Sequence, residues 1–262
     1  MLGLSMGILR VKFPTKVLFV ILIAAGLVLP GFSHSQERLI RFGIPDVGYP
    51  PYLMRSAGDL HGIVGDTFVE LASALGYHVE IVIQPVKRLR RDMKRGKIDA
   101  MANALEWESD TTNSVWTEGI IRVSDNVVMT ADRQMDIANL DDLRDTKVVL
   151  MFGYTYPSLE SMIETGAFEA HRTNRFESLL KMVDYKRVDY GIIDMNVARW
   201  VIRTNNLLFD PPLFFATPGF DEVEYRIILF SQKWAPFVQE FNAALVQFKS
   251  NGRLENILNK YR

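Results

Sequence analysis

Apolar residues recur along this chain in two alternating rhythms. Residues 39–44 (LIRFGI) form a short, mostly apolar run closed by Pro45, the pattern of a buried strand. Between Gly62 and Leu75 the residues Val64, Phe68, Leu71, Ala72 and Leu75 fall on one face of an amphipathic helix, with Gly76 as its stop. A strand over 79–83 follows, then a short helix over 86–95 with the apolar edge Val86, Leu89 and Met93, halted at Gly96. Strands are predicted over 98–102 and 127–130. A second series opens with a strand over 147–151 and a helix over 157–164 that carries proline in its first turn. Asn174 and Glu177 have the spacing of a capping box for the helix bearing Phe176, Leu179, Leu180 and Val183. A strand over 188–193 precedes a helix that uses Val197, Trp200 and Val201. Phe237, Phe241, Leu245 and Phe248 share one face of the closing long helix, and a short helix starts at Arg253. Strands alternating with helices of this length predict an α/β fold with mostly parallel sheets.

One internal similarity suggests two halves of like construction. Arg95-Gly96-Lys97-Ile98-Asp99-Ala100 resembles Lys186-Arg187-Val188-Asp189-Tyr190-Gly191, and each string links an amphipathic helix to a short apolar strand.

The first residues depart from this rhythm. Arg10, Lys12 and Lys16 precede an unbroken apolar run over 17–29, followed by Pro30-Gly31 and then Ser33-His34-Ser35. A helix of about 13 residues reaches only about 20 Å, short of a hydrocarbon core of about 30 Å. Ser33 and Ser35 suit a signal peptidase, so cleavage after Ser35 and export to the periplasm are expected. Loss of the three bases takes the net charge from −1 to −4.

Composition then removes several kinds of chemistry. The 262 residues contain no cysteine, which excludes disulfide scaffolds, thiol catalysis and cysteine-anchored lipidation. Thirty basic against 31 acidic residues give no bulk attraction for nucleic acid. A hydrophobic share of 48% supports a real core. The histidines at 34, 61, 78 and 171 lack metal-ligand spacing, and no phosphate-binding loop or hydrolase elbow is present, so neither metal nor cofactor is expected. The basic stretch from Lys87 to Lys97 reads as a solvated helix face, with Arg88 near the helix start kept as a candidate.

Ligands of open α/β sheets sit beyond the carboxyl ends of strands. Four such ends here carry unusual residues. The first continues into a proline-restricted loop with Tyr49 and Tyr52, and the second into Asn103, Leu105, Glu106 and Trp107. The third runs into Gly153, Tyr154 and Thr155 before a helix whose free amides could hold a polar group. The fourth ends at Asp194, which can cap the next helix, face a ligand ammonium, or do both.

Taken in order, these strings resemble the type II periplasmic solute-binding proteins of the polar amino acid uptake family, bacterial extracellular family 3. The landmarks are Tyr49-Pro50-Pro51-Tyr52, the run from Gly62 to Ala72, Gly96-Lys97-Ile98-Asp99-Ala100, Asn139-Leu140-Asp141-Asp142-Leu143, Gly153-Tyr154-Thr155, Arg187-Val188-Asp189-Tyr190-Gly191, Phe241-Asn242-Ala243-Ala244-Leu245 and Asn251-Gly252-Arg253. The resemblance covers nearly all of residues 38–262. It implies a monomer with two α/β lobes, one from residues 36–126 and 222–262 and one from 129–219, closing over a small solute through two hinge crossovers. It also implies recognition of the closed form by the membrane subunits of an ABC importer or by a separate sensor protein. Relatives of the fold include a dehydratase of prephenate-like substrates, which offers an enzymatic alternative with Glu106 or Glu108 as proton donor.

One departure matters. Family members that bind amino acids clamp the ligand carboxylate with an Arg six residues before an aromatic-Ser-Asp motif. The matching motif here is Trp116-Thr117-Glu118, and Asp110 stands at the Arg position. A carboxylate cannot replace a guanidinium fork, so the expected ligand shifts toward cations and amines held by Asp194 and aromatic faces. The rival expectation is that Arg88 or Arg122 supplies the missing charge.

Overall fold

Strand β1 (Arg38–Pro45) pairs in parallel with β4 (Tyr77–Gln84) on one side and β5 (Ala100–Asn103) on the other. Between them lie a hairpin of β2 (Met54–Ser56) and β3 (Asp59–His61), helix α1 (Ile63–Ala74) and helix α2 (Val86–Lys94). The computed structural model describes residues 38–108, 110–134 and 137–261, and the leader expected over 1–35 lies outside them.

The second series repeats the first. Strand β8 (Lys147–Met151) pairs in parallel with β9 (Glu169–Thr173) and β10 (Tyr190–Ile193), through helices α3 (Glu160–Thr165) and α4 (Phe176–Asp184). Both units therefore place their first strand in the middle, as β4-β1-β5 and β9-β8-β10. Two long strands join them: β7 (Ile121–Met129) and β12 (Phe220–Phe230) pair antiparallel with each other, β12 continuing beside β5 and β7 beside β10. Short strands β6 (Ser114–Trp116) and β11 (Phe214–Phe215) add to β12 and β7. Helix α5 (Met195–Thr204) follows β10, and α6 (Ala235–Ser250) and α7 (Arg253–Tyr261) close the chain. Among the described residues no helix is long and apolar enough to cross a membrane.

The apolar positions read from the sequence form the core. Val64, Phe68, Leu71 and Ala72 of α1 pack with Ile40, Phe42 and Ile44 and with Phe237, Phe241 and Leu245 of α6. Rings make much of this contact, with Phe42 to Phe68 at 4.9 Å and Phe68 to Phe241 at 5.7 Å. The opposite faces are covered too, by Leu89, Met93 and Ile98 in the first unit and by Leu143, Leu159, Met162 and Phe168 in the second. Burial on both sides explains why the central strands β1, β5, β8 and β10 read as mostly apolar runs, whereas the edge strands β4 and β9 keep exposed polar positions.

The repeated helix-strand junction has a structural basis. After α2, the Gly96 and Lys97 amides return to Met93 and Asp92 carbonyls; after α4, the Lys186 and Arg187 amides return to Val183 and Met182. Gly96 and Lys186 hold the left-handed conformation at φ 67° and 53°. Each junction then presents an aspartate to the neighbouring parallel strand. The Arg41 amide donates to Asp99 at 3.1 Å and the Lys147 amide to Asp189 at 2.8 Å, while the Asp99 and Asp189 amides donate to the Arg41 and Lys147 carbonyls. Asp99 also takes the Arg41 guanidinium at 2.7 Å. Burial raises the Asp99 pKa, but these hydrogen bonds outweigh it and hold the carboxyl below its ordinary range. Urea denaturation is expected to show that Asp189→Ala costs about 1–2 kcal/mol and Asp99→Ala more, since Asp99 is buried and takes both Nε and Nη2 of Arg41, whereas Asp189 is half-buried and takes one nitrogen of Arg133.

Local patterning misplaced several features. The Asn174–Glu177 capping box is not formed: Arg175 is the N-cap without a side-chain bond, and Glu177 pairs with Arg175 at 3.6 Å. A capping box does occur at Asn139 and Asp142, opening a 3₁₀ turn (Leu140–Leu143). The helix expected over 157–164 begins as a 3₁₀ turn (Pro157–Leu159) and becomes α-helical only at Glu160. The strand expected over 127–130 begins six residues earlier, and β12 has no counterpart in the predicted elements.

Candidate functional site

The carboxyl ends of β1, β5, β8 and β10 converge on one crevice. Its aromatic wall consists of Tyr49, Trp107, Tyr154, Tyr156, Phe176 and Tyr225. Neighbouring rings touch edge to face: Tyr49 lies 5.6 Å from Tyr225 and 6.2 Å from Tyr154, and Tyr154 lies 6.3 Å from Phe176. Burial raises the hydroxyl pKa of Tyr49, Tyr154, Tyr156 and Tyr225, so these phenols stay neutral.

Each wall residue is positioned by its element. The Tyr49 loop closes on itself, with reciprocal backbone bonds between Tyr49 and Leu53 at 2.7 and 2.8 Å. Its far end is held by the first amides of α1, where Ile63 donates to Pro51 and Val64 to Tyr52. Asn103 ends β5 and donates through Nδ2 to Glu108, which turns the following segment back so that Trp107 reaches Tyr225 at 5.9 Å. Trp107 Nε1 is buried and has no hydrogen-bond partner among the described residues.

Asp194 is buried at the mouth of α5 and lines the crevice. It caps the helix, accepting from the amides of Asn196 at 2.7 Å and Val197 at 3.0 Å. The Tyr52 hydroxyl donates to it at 3.1 Å and the Ser124 amide at 3.4 Å, while Asn196 Nδ2 donates to the Tyr52 oxygen. Burial pushes the Asp194 carboxyl up, and these donors oppose the shift. Both uses expected of Asp194 are thus geometrically compatible in one side chain.

The crevice holds two charged residues that the sequence reading did not select. Arg90 lies four residues after Val86, on the same side of α2, and both line the crevice. Its Nε is 3.1 Å from Glu108 Oε1. Asp125 enters from β7, and no hydrogen bond or ion pair engages its carboxylate among the described residues. Burial, with Asp194 and Asp221 nearby, pushes the Asp125 carboxyl up to about 8. The spacing of Val86 pointed to Arg90; nothing local pointed to Asp125, because the predicted strand began after it.

Of the residues expected at the site, Tyr49, Asn103, Trp107, Gly153, Tyr154, Thr155 and Asp194 line the crevice. Tyr52 is fully buried behind it and touches Asp194. Arg88, Leu105 and Glu106 lie elsewhere. Arg88 is exposed and 3.7 Å from Asp92, because two residues along a helix turn the side chain to the far side from Arg90. Leu105 and Glu106 are exposed on a 3₁₀ turn (Leu105–Trp107) that carries only its last residue inward. Arg122, the rival cation, is exposed and paired with Glu222 and Glu224. Asp110, at the family's Arg position, is exposed and bonded to Thr112 and Lys94. The amide of Ser158, one of those expected to hold a polar group, is taken by Asp221 at 3.0 Å.

Comparison with known proteins agrees with this architecture. Over 241 residues the chain is 21% identical to the arginine-binding extracellular protein ArtP of Bacillus subtilis (strain 168), covering 92% of both chains. A histidine kinase sensor domain with similarity to periplasmic binding proteins superposes with a TM-score of 0.73 at 22% identity, covering 86% of this chain and 96% of that one. An ancestral arginine-binding protein bound to arginine gives 0.70 at 20% identity, covering 85% and 97%. Such identities carry the fold alone. Residues 40–262 also match the profile of one family along the whole described region, and by that match the chain belongs to the bacterial extracellular solute-binding proteins, family 3.

Proposed function

We propose that this protein is a non-enzymatic periplasmic receptor that closes over a small amine-bearing or amino-acid-like solute. The observation that carries the reading is the polarity of the crevice. Donors gather on the side of β5 and α2, from Arg90 and the unpartnered Trp107 Nε1, whereas Asp125 and Asp194 stand on the side of β7 and β10. A zwitterion could set its carboxylate against the first and its ammonium against the second, with cationic side chains favoured by the surplus of carboxylates and the π faces. The names of the arginine-binding relatives support a cationic amino acid as the first probe.

In this reading the two repeated units are the lobes, and β7 and β12 are the hinge crossovers, since β12 pairs with β5 of the first unit, β7 with β10 of the second, and the two with each other. The expected lobe boundaries near residues 126 and 222 fall inside these strands. Closure would bury the ligand and present a closed form to an importer's membrane subunits. The likeness to a kinase sensor domain supports a separate signalling protein as a second partner class. Loss of growth on the ligand as sole nitrogen source after gene deletion would identify uptake. The enzymatic alternative finds Glu106 outside the crevice and Glu108 engaged by Arg90 and Asn103, so incubation with prephenate is expected to give no aromatic product.

Calorimetry with arginine, lysine, glutamine, glutamate and cadaverine tests the reading. Tight binding is expected for the net cationic solutes arginine, lysine and cadaverine, weaker binding for glutamine, and none for glutamate, whose second carboxylate would face Asp125 and Asp194. Arg90→Gln is expected to weaken an amino acid about 10- to 100-fold, as loss of a charge-assisted hydrogen bond worth about 1.5–3 kcal/mol would, while changing cadaverine little. Binding of glutamate alone would sink the proposal.

A further inference from the structure

Three charged side chains line the crevice, and two of them are compensated. Arg90 faces Glu108, and Asp194 accepts from Tyr52, Ser124, Asn196 and Val197. Asp125 is the exception among the described residues. The antiparallel pairing of β10 with β7 ends at Ile193 and Asn126, and the next residues on the two strands, Asp194 and Asp125, both line the crevice. Beside it on β12, Phe220 pairs with Asp125, and the next residue, Asp221, has its carboxylate turned to Ser158. The other titratable groups facing Asp125 are the neutral phenols of Tyr49, Tyr154 and Tyr156; Arg90, on α2, is the cation of the crevice lining. Among the described residues no protein cation is ion-paired with Asp125 or Asp194.

We propose that Asp125 is the second carboxylate of a cation subsite and exchanges its proton for the ammonium or guanidinium of the incoming ligand. The inference rests on the amine-binding reading above. Two carboxylates enclosed at one site do not both ionise readily, so one of them holds a proton while the crevice is empty. An arriving cation reverses the balance: the Asp125 carboxyl loses its proton to solvent, and the ligand's positive charge takes its place. Asp194 cannot serve in the same way, because the two α5 amides on its Oδ1 favour its charged form. Asp125, lacking donors, is held neutral by burial and by its acidic neighbours, with its pKa at about 8.

The sign of the pH dependence follows. The carboxyl is protonated in the empty protein below about pH 8 and ionised in the complex, so binding releases protons in that window. Affinity for arginine or lysine is expected to rise with pH from 6 to 8, by up to about tenfold per unit, and to level off above 8. Calorimetry in buffers of different ionisation enthalpy should show release of up to about one proton per arginine at pH 6.5. Asp125→Asn is expected to bind more weakly, without proton release and without the pH slope.

A measurement without ligand gives an independent check. An acid whose pKa is raised on folding weakens the folded state as pH climbs through that range. The melting temperature of Asp125→Asn should therefore rise relative to wild type between pH 5 and 8, and the difference should then become constant. Arginine binding with no proton exchange, or an unchanged pH slope in Asp125→Asn, would overturn this inference and leave the amine-binding reading standing. Failure of every cationic probe at every pH would overturn both.

Discussion

Replacing Asp194 by Asn is expected to leave the protein folded and to abolish tight binding of a cationic solute, whereas Asp194→Ala should lose binding and stability together. The two variants separate the two uses of one side chain. Asn caps a helix about as well as Asp, so the Asn196 and Val197 amides keep an acceptor and the Tyr52 hydroxyl keeps a partner. What disappears is the charge. Truncating one member of a buried charge pair costs about 2–5 kcal/mol of affinity, which at the lower middle of that range is already 100-fold or more. Ala removes the cap as well, worth about 1 kcal/mol, and leaves the buried Tyr52 hydroxyl and the Ser124 amide without their acceptor. The sum is about 2–4 kcal/mol, and at about 2–4 °C per kcal/mol for a chain of this size the melting temperature should fall by roughly 4–16 °C. Thermal unfolding and calorimetry on both variants check the pair. A stable Asp194→Asn that binds cationic amino acids as tightly as wild type would remove Asp194 from the site.

Gly62→Ala should be the most damaging single methyl in the structure. Gly62 opens α1 at φ 100°, outside the range most side chains tolerate. A Cβ there would sit 2.6 Å from the Tyr52 carbonyl oxygen and 2.7 Å from that of Pro51. Both obstacles are backbone, and both accept from the first amides of α1, so relief of the clash must break the contacts that hold the tyrosine loop. About 3 kcal/mol or more of destabilisation is expected, with a shift in the urea midpoint to match. Ligand affinity should fall with it, because Tyr49 and Tyr52 belong to that loop. Gly58→Ala supplies the control. It shares a positive φ of 94° but meets nothing within 4 Å, so it should cost only about 1 kcal/mol.

The place of the site was legible in the sequence because it follows from local rules. Parallel strands with helical returns put their carboxyl ends on one edge, and the residues after those ends include Tyr49, Asn103, Trp107, Tyr154 and Asp194, all at the crevice. The repeat around Asp99 and Asp189 was equally readable, since a helix stop, a strand start and a capping carboxylate fit within six residues. The choice between Arg88 and Arg90 was a near miss. Both lie on one short helix, and only the neighbour of Val86 in the next turn faces inward.

Asp125 and Tyr225 could not be found in this way. They belong to β7 and β12, whose pairing joins residues about a hundred positions apart, such as Arg122 with Glu224. Strand β12 alternates charged and apolar residues and carries Asp221 at a positive φ, so its eleven residues give no continuous apolar signal. By itself, then, the sequence determined the two α/β units, their core faces and the strand ends that carry the chemistry. Only the tertiary structure decided that Asp125, Asp194 and Arg90 line one crevice together with the aromatic wall. Periodicity records which side of its own element a residue occupies, whereas the balance of charge in a crevice depends on which distant elements are brought edge to edge.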